Sequence, residues 1–141
     1  GADLSRADLS GADLSGADLT GVRNLPCFQI VPESGQFTAW KKVYTADGSA
    51  LIARLVIPEG AGRVSSTGRK CRAERAHVTA LYAVGASEPL PTDAVARDGH
   101  TNSIEYRAGA DVYPDRWDPD IRVECTHGLH FFLTRREAEE Y

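Results

Sequence analysis

The apolar positions follow two different rules, and the change comes near residue 25. Through residues 1–20 leucine recurs every five positions, at Leu4, Leu9, Leu14 and Leu19, and alanine keeps step at Ala2, Ala7, Ala12 and Ala17. A period of five fits neither the 3.6 of a helix nor the 2 of a strand. It suits short segments that turn a corner each time, sending one large and one small apolar side chain into the same narrow interior. Asp3, Asp8, Asp13 and Asp18 then face water, beside glycines and serines suited to corners. Residues 1–5, 6–10, 11–15 and 16–20 align without gaps, and 21–25 is a degenerate fifth unit with Val22 for alanine and Asn24 for leucine.

Beyond Pro26 the pattern predicts strands. Residues 26–36 form a linker ending in the loop-like Val31-Pro-Glu-Ser-Gly-Gln36. Residues 37–45 and 50–57 are apolar-rich runs joined through Asp47-Gly48, a dipeptide favoured in hairpin turns. The glycine- and serine-bearing stretch 58–68 predicts a loop. Residues 77–84 predict a strand with Val78, Ala80, Tyr82 and Val84 on one face, and 85–103 predict another loop. Short strands are expected at 104–106, 111–113 and 121–123, and a buried one at 128–133. Thr134 and Glu137 then form a capping box that starts a helix over 135–141. The expected fold is mainly β, with repeats over 1–25 and an α+β head over 37–141.

The x-Ala-Asp-Leu-Ser/Thr units resemble the pentapeptide-repeat family. The resemblance implies a right-handed quadrilateral β-helix, a β-solenoid with four repeats per coil and the leucine pointing inward. Residues 1–20 are then one coil. One coil cannot bury its own core, because repeat units rely on stacked neighbours. Leu4, Leu9, Leu14 and Leu19 are therefore expected to mediate assembly, on further coils, on another chain or on the head. The sequence starts inside a repeat and contains no methionine, so further repeats are expected upstream.

A second resemblance covers most of the remainder. Trp40-Lys41-Lys42-Val43, Leu55-Val56-Ile57-Pro58, the run from Thr67 to Ala73, and Cys125-x-x-Gly128-Leu129-His130-Phe131-Phe132-Leu133-Thr134 resemble a domain of unknown function that follows pentapeptide repeats in bacteriophage and bacterial proteins. It implies a phage-type or bacterial origin and a solenoid-plus-head architecture.

Composition narrows the function classes. A content of 42% hydrophobic and 26% charged residues is that of a globular chain, and a net charge of −4 creates no field that asks for nucleic acid or an anionic membrane. No apolar run is long enough to span a bilayer, and no charged-then-apolar leader is present, so a cytoplasmic setting in a bacterial host, or a virion, is expected. Cys27, Cys71 and Cys125 are odd in number and widely spaced, which suits reduced thiols. The expected partner is another protein or a second copy of the chain.

Candidate chemistry is confined to a few places. Arg63, Arg69, Lys70, Arg72 and Arg75 face only one acid, Glu74, within residues 63–75. With the Ser-Ser-Thr-Gly run, Arg69, Lys70 and Arg72 are candidate anion-binding residues, joined by His130. The alternative is a solvated loop pairing with the acidic stretch 111–120. The phosphate loop G-x-x-x-x-G-K-[ST] is absent. Cys125, His127 and His130 with Cys71 match no standard zinc spacing, and a hydrogen-bonded core histidine beside buried cysteines is the expectation. No metal, cofactor or catalytic residue is assigned, since there is no G-x-S-x-G elbow and neither His77 nor His100 has an evident partner.

Gly128, His130, Phe131, Ala138 and Tyr141 also resemble the second conserved segment of ADP-ribosyltransferases, which implies a strand and helix lining a nucleotide pocket. The aspartate series resembles that of pentapeptide-repeat proteins that mimic DNA and bind topoisomerases. The main expectation is a non-enzymatic structural or interaction protein in which the solenoid assembles and the head recognises. A nucleotide-binding head and a DNA mimic are the alternatives.

Overall fold

The computed structural model describes residues 1–4, 7, 9, 14, 16–23 and 29–141. Asp8, Ala12 and Asp13 of the repeats, Asn24 and Leu25 of the fifth unit, and Pro26 and Cys27 of the linker lie outside the described residues.

In the repeat region Asp3 forms a parallel bridge with Arg23, twenty residues later. The Leu4 N–H donates to the Arg23 oxygen across 3.0 Å, and the Arg23 N–H donates to the Ala2 oxygen across 2.7 Å. Four five-residue units per circuit give that offset. Leu19 is buried and Leu4, Leu9 and Leu14 are half-buried, whereas Ala2 and Ala7 are exposed rather than interior. Small residues in a coil are covered by the coil stacked over them, and among the described residues only 21–23 bond to residues 1–4 in this way. The Thr67 hydroxyl ties this region to the head by donating to the Leu14 oxygen at 2.8 Å.

Among the described residues the head contains β1 (Phe37–Tyr44), β2 (Ala50–Ile57), β3 (Arg63–Ser65), β4 (Cys71–Ala73), β5 (Ala76–Ala83), β6 (Ala96–Arg97), β7 (Glu105–Tyr106), β8 (Asp111–Val112), β9 (Leu129–Phe131) and the helix α1 (Arg135–Glu140). One antiparallel sheet runs β7-β6-β1-β2-β5-β8, and a smaller one runs β3-β4-β9. The β1–β2 hairpin has the expected limits to within a residue, in register from Phe37↔Ile57 to Tyr44↔Ala50. Gly48 takes φ +87° in its turn, a conformation that side-chain-bearing residues rarely adopt.

Three differences from the sequence-based expectation have physical causes. β3 and β6 fall inside stretches whose composition predicts loop, because two or three residues are too few to show alternation. Residues 121–123 form no strand, since neighbouring carbonyls are held by Arg72, as described below. In β5, Leu55 pairs with Val78 but Arg54 pairs with Ala80, so Thr79 is an extra residue. Such a bulge reverses the alternation beyond it. Val78 and Leu81 enter the core, while Tyr82 turns to the other face and Val84 lies outside the strand, half-exposed.

The core lies between the two sheets, where Ala39, Val43, Leu55, Ile57, Leu129 and Phe131 are almost wholly buried. Burying one such aliphatic or aromatic side chain contributes roughly 1.5–3 kcal/mol. The opposite face of the large sheet is covered by α1. There Ala138 is buried, and the Arg135 guanidinium lies 4.8 Å from the Tyr82 ring and 5.9 Å from the Trp40 ring. Thr134 caps the helix as expected, accepting from the Glu137 N–H at 3.2 Å.

Candidate functional site

The two sheets meet along one edge of β1 and then part. Trp40 exchanges both main-chain bonds with Phe132, at 2.9 and 2.8 Å, and Tyr44 pairs with Arg97 of β6. Alternate residues of a strand aim their N–H and C=O groups at the same edge. Those of Lys42 therefore point between the two rungs, where no strand lies opposite among the described residues. A cleft of about 390 Å³ opens in this fork.

Its lining is cationic. Lys41, Lys42 and Lys70 stand around it with His100 and His130, and Asp98 is the carboxylate they face. Asp98 is already engaged, accepting from the Ile104 N–H at 3.0 Å and from the Thr101 N–H and hydroxyl at 3.1 and 2.8 Å. Burial alone would raise this carboxyl, but those bonds and the nearby Lys41 hold it below the usual range.

Lys41 has the same parity along β1 as Ala39 and Val43, so it stands at a core-facing position. Its Nζ donates to the His130 main-chain oxygen at 3.0 Å. Burial pushes its pKa down to about 8, with Asp98 opposing and Lys70 reinforcing the shift. Burial, with Lys70 and Lys41 nearby, pushes His130 down to about 3, so the imidazole is neutral at neutral pH. Lys70 donates to the Tyr141 hydroxyl at 3.0 Å and lies 5.1 Å from its ring, and that ring packs 5.3 Å from Phe132.

Of the four anion-binding candidates, Lys70 and His130 come together on the cleft and Arg69 and Arg72 do not. Arg69 is exposed and grips Glu137 of α1 at 2.7 and 2.9 Å. Arg72 is buried, and its guanidinium donates to the main-chain oxygens of Asp118 at 3.0 Å, Val123 at 2.6 Å, Glu124 at 3.2 Å and Asp120. The basic stretch does meet the acidic one, but at Arg72 through carbonyls rather than carboxylates. Gly128 lies against this side chain at φ +149°, and a Cβ there would stand 3.1 Å from the Arg72 Cβ.

A hydrogen-bonded core histidine is expected at His130, and among the described residues its buried Nε2 has no partner. Cys71 is buried, which pushes its thiol up to about 12, whereas Cys125 is exposed and His127 faces Asp115 at 3.4 Å. Among the described residues no three His, Cys, Asp or Glu side chains converge as a metal site would require. Asp3 and Asp18 are exposed, and Asp18 accepts from the Thr20 N–H at 3.0 Å, a corner-forming bond.

A second cavity of about 460 Å³ adjoins the cleft and shares Lys41, Asp98, His100 and His130 with it. It reaches Ile104, Leu129 and Tyr106. Tyr106 is wholly buried, and among the described residues its hydroxyl has no partner. Sequence reasoning assigns no role to Lys41, Asp98 or Tyr106. For Lys41 a signal exists, since a lysine in step with Ala39 and Val43 occupies an inward position. Asp98 and Tyr106 sit in strands or loops too short to reveal a face.

A family model described as a family of unknown function (DUF5758) matches residues 27–138, and one for pentapeptide repeats, eight copies long, matches residues 1–23. No curated protein and no solved structure matches the chain.

Proposed function

The chain belongs to the family of unknown function DUF5758, and on that footing we propose a non-enzymatic recognition protein whose head binds an anionic ligand in the cleft beside β1. The observation that carries this reading is the imbalance of the lining among the described residues: three lysines around one carboxylate whose oxygens are already bonded. Lysines concentrated in a concave, partly apolar site favour a phosphate or carboxylate group. The test is calorimetric titration of the intact chain with ribose 5-phosphate at low ionic strength. Binding that weakens at least tenfold in Lys70→Met and fades with added salt supports the reading. Heats equal to those of dilution would end it.

The repeat region supplies assembly in this proposal. Its support is the twenty-residue parallel pairing of Asp3 with Arg23 and the incomplete burial of Leu4, Leu9 and Leu14, which a stacked coil would cover. Sedimentation velocity across a concentration series tests it: the parent is expected to associate and Leu14→Asp to sediment more slowly. Identical, concentration-independent profiles for both would remove the assembly role.

A further inference from the structure

The two kinds of basic residue are distributed unevenly over the molecule. The chain contains three lysines and thirteen arginines, and all three lysines, Lys41, Lys42 and Lys70, line the cleft beside β1. Among the described residues six arginines form ion pairs with carboxylates, and no lysine does. For gripping an anion the planar guanidinium is the better group, since it offers a fixed fork of donors. An amine does what a guanidinium in a protein does not: it gives up its proton and attacks carbon. Lysine confined to one cleft, in a chain that uses arginine elsewhere, suits amine chemistry there.

Lys41 is the lysine placed for it. It stands half-buried at a core-facing position of β1 and lines both cavities. Its Nζ donates to the His130 main-chain oxygen at 3.0 Å, its one hydrogen bond among the described residues. That carbonyl fixes the nitrogen in place, and a neutral amine held by one N–H keeps its lone pair for a carbonyl carbon. Burial lowers Lys41 to about 8. At pH 7.5 roughly a quarter of the chains then carry the free amine, against about one in a thousand for an ordinary lysine. Lys70 shares the lining, bonded to the Tyr141 hydroxyl, and is a cation held in position.

We propose that the cleft captures a small aldehyde that bears a phosphate, through a reversible imine between its carbonyl carbon and Lys41 Nζ, with Lys42 and Lys70 holding the phosphate. This rests on the anion-binding reading of the cleft and adds the group at the other end of the ligand. In the step, Nζ bonds to the aldehyde carbon and gives up two hydrogens, which leave with the aldehyde oxygen as water. No oxidant or reductant is needed. The phosphate docks first, and the covalent bond forms within the docked complex. The size fits, since the cleft of about 390 Å³ falls within the roughly 300–1,000 Å³ of small-molecule sites.

The experiment exposes the intact chain at pH 7.5 to glycolaldehyde phosphate with sodium cyanoborohydride, which reduces an imine to a stable secondary amine. Peptide mass spectrometry then locates the adduct. Lys41 is expected to be labelled about tenfold or more above Lys42 and Lys70. Glycolaldehyde, which lacks the phosphate, is expected to label Lys41 about tenfold less, and Lys70→Met to narrow that difference. Lys41→Arg keeps the cation but has no amine to react, so its adduct is expected to vanish. The mapping on the parent chain decides the site even if a variant fails to fold. Label spread evenly over the three lysines, or sparing Lys41, overturns the inference. Equal labelling of Lys41 by both aldehydes overturns the part given to the phosphate. Ribose 5-phosphate, whose carbonyl is closed in a ring, reports the anion site separately. If it binds while Lys41 takes no adduct, the imine alone falls; if neither occurs, both readings fall.

Discussion

Lys41 of the long sheet donates from Nζ to the main-chain oxygen of His130 in the short sheet, 3.0 Å away. One half-buried lysine thus joins the two sheets where they fork, and it is held there against its own desolvation.

The pH dependence of stability follows from that position. Lys41 titrates near 8 in the folded chain and near 10.5 when unfolded. Between those values the unfolded chain holds more protons, so stability rises with pH through this window, by no more than about 3 kcal/mol. Cys71 acts in the opposite sense above pH 9, because its folded thiol keeps a proton that the unfolded one loses. Urea unfolding of the parent and of Lys41→Met at pH 7 and pH 9 separates the two. The variant's stability relative to the parent is expected to be greater at pH 7 than at pH 9.

On the acid side the governing group is His130. Its folded pKa near 3 lies below the unfolded 6.5, so the unfolded chain takes up a proton first and stability falls as pH drops below 6.5. The folding constant is expected to lose up to about tenfold per pH unit from this one group. Between pH 6.5 and 4.5 the effect stands apart from the carboxylates, such as Glu137, whose ion pairs fail only at lower pH. His130→Gln should flatten this segment of the stability profile, and an unchanged slope would remove His130 as its cause.

Arg72 is the residue whose loss should cost most. Truncation to alanine removes the donor to four main-chain carbonyl groups at once and is expected to destabilise by about 3 kcal/mol or more in denaturant unfolding. Arg72→Lys should recover only part, since an ammonium lacks the planar fork that reaches several acceptors. Gly128→Ala probes the same junction from the residue just before β9. Its φ of +149° and the 3.1 Å approach to Arg72 predict a loss of about 1–3 kcal/mol.

Removal of the helix cap is a milder case. Thr134→Ala deletes the acceptor for the Glu137 N–H and is expected to lower stability by about 1 kcal/mol. Thermal melting with and without the change checks it.

What the sequence shows and what it hides divide along physical lines. The β1–β2 hairpin is legible because eight-residue strands and an Asp-Gly turn each carry a strong local signal. The Thr134–Glu137 cap is legible for the same reason. The bulge at Thr79 is not, because nothing in the local pattern marks which residue goes unpaired, and the inward face shifts from Ala80 and Tyr82 to Leu81. In the basic stretch the charges are visible but not their destinations: Arg72 turns inward to carbonyls while Lys70, two residues earlier, reaches the cleft. The cleft itself belongs to a fork between segments far apart in sequence, so no local pattern announces it. Tyr106 and His130 share a cavity only after β7 and β9 have taken their places in different sheets.

The four-carbonyl grip of Arg72 bears on the tempo of recognition. Residues 118–124, part of the segment that runs from Asp115 to Gly128 along the second cavity, cannot swing outward without stranding a buried cation. The ligand proposed above would then meet a receptacle already in its final shape, with no slow opening step ahead of it. The observed association rate should climb in proportion to ligand concentration without reaching a plateau, and discrimination among ligands should reside in how long each one stays.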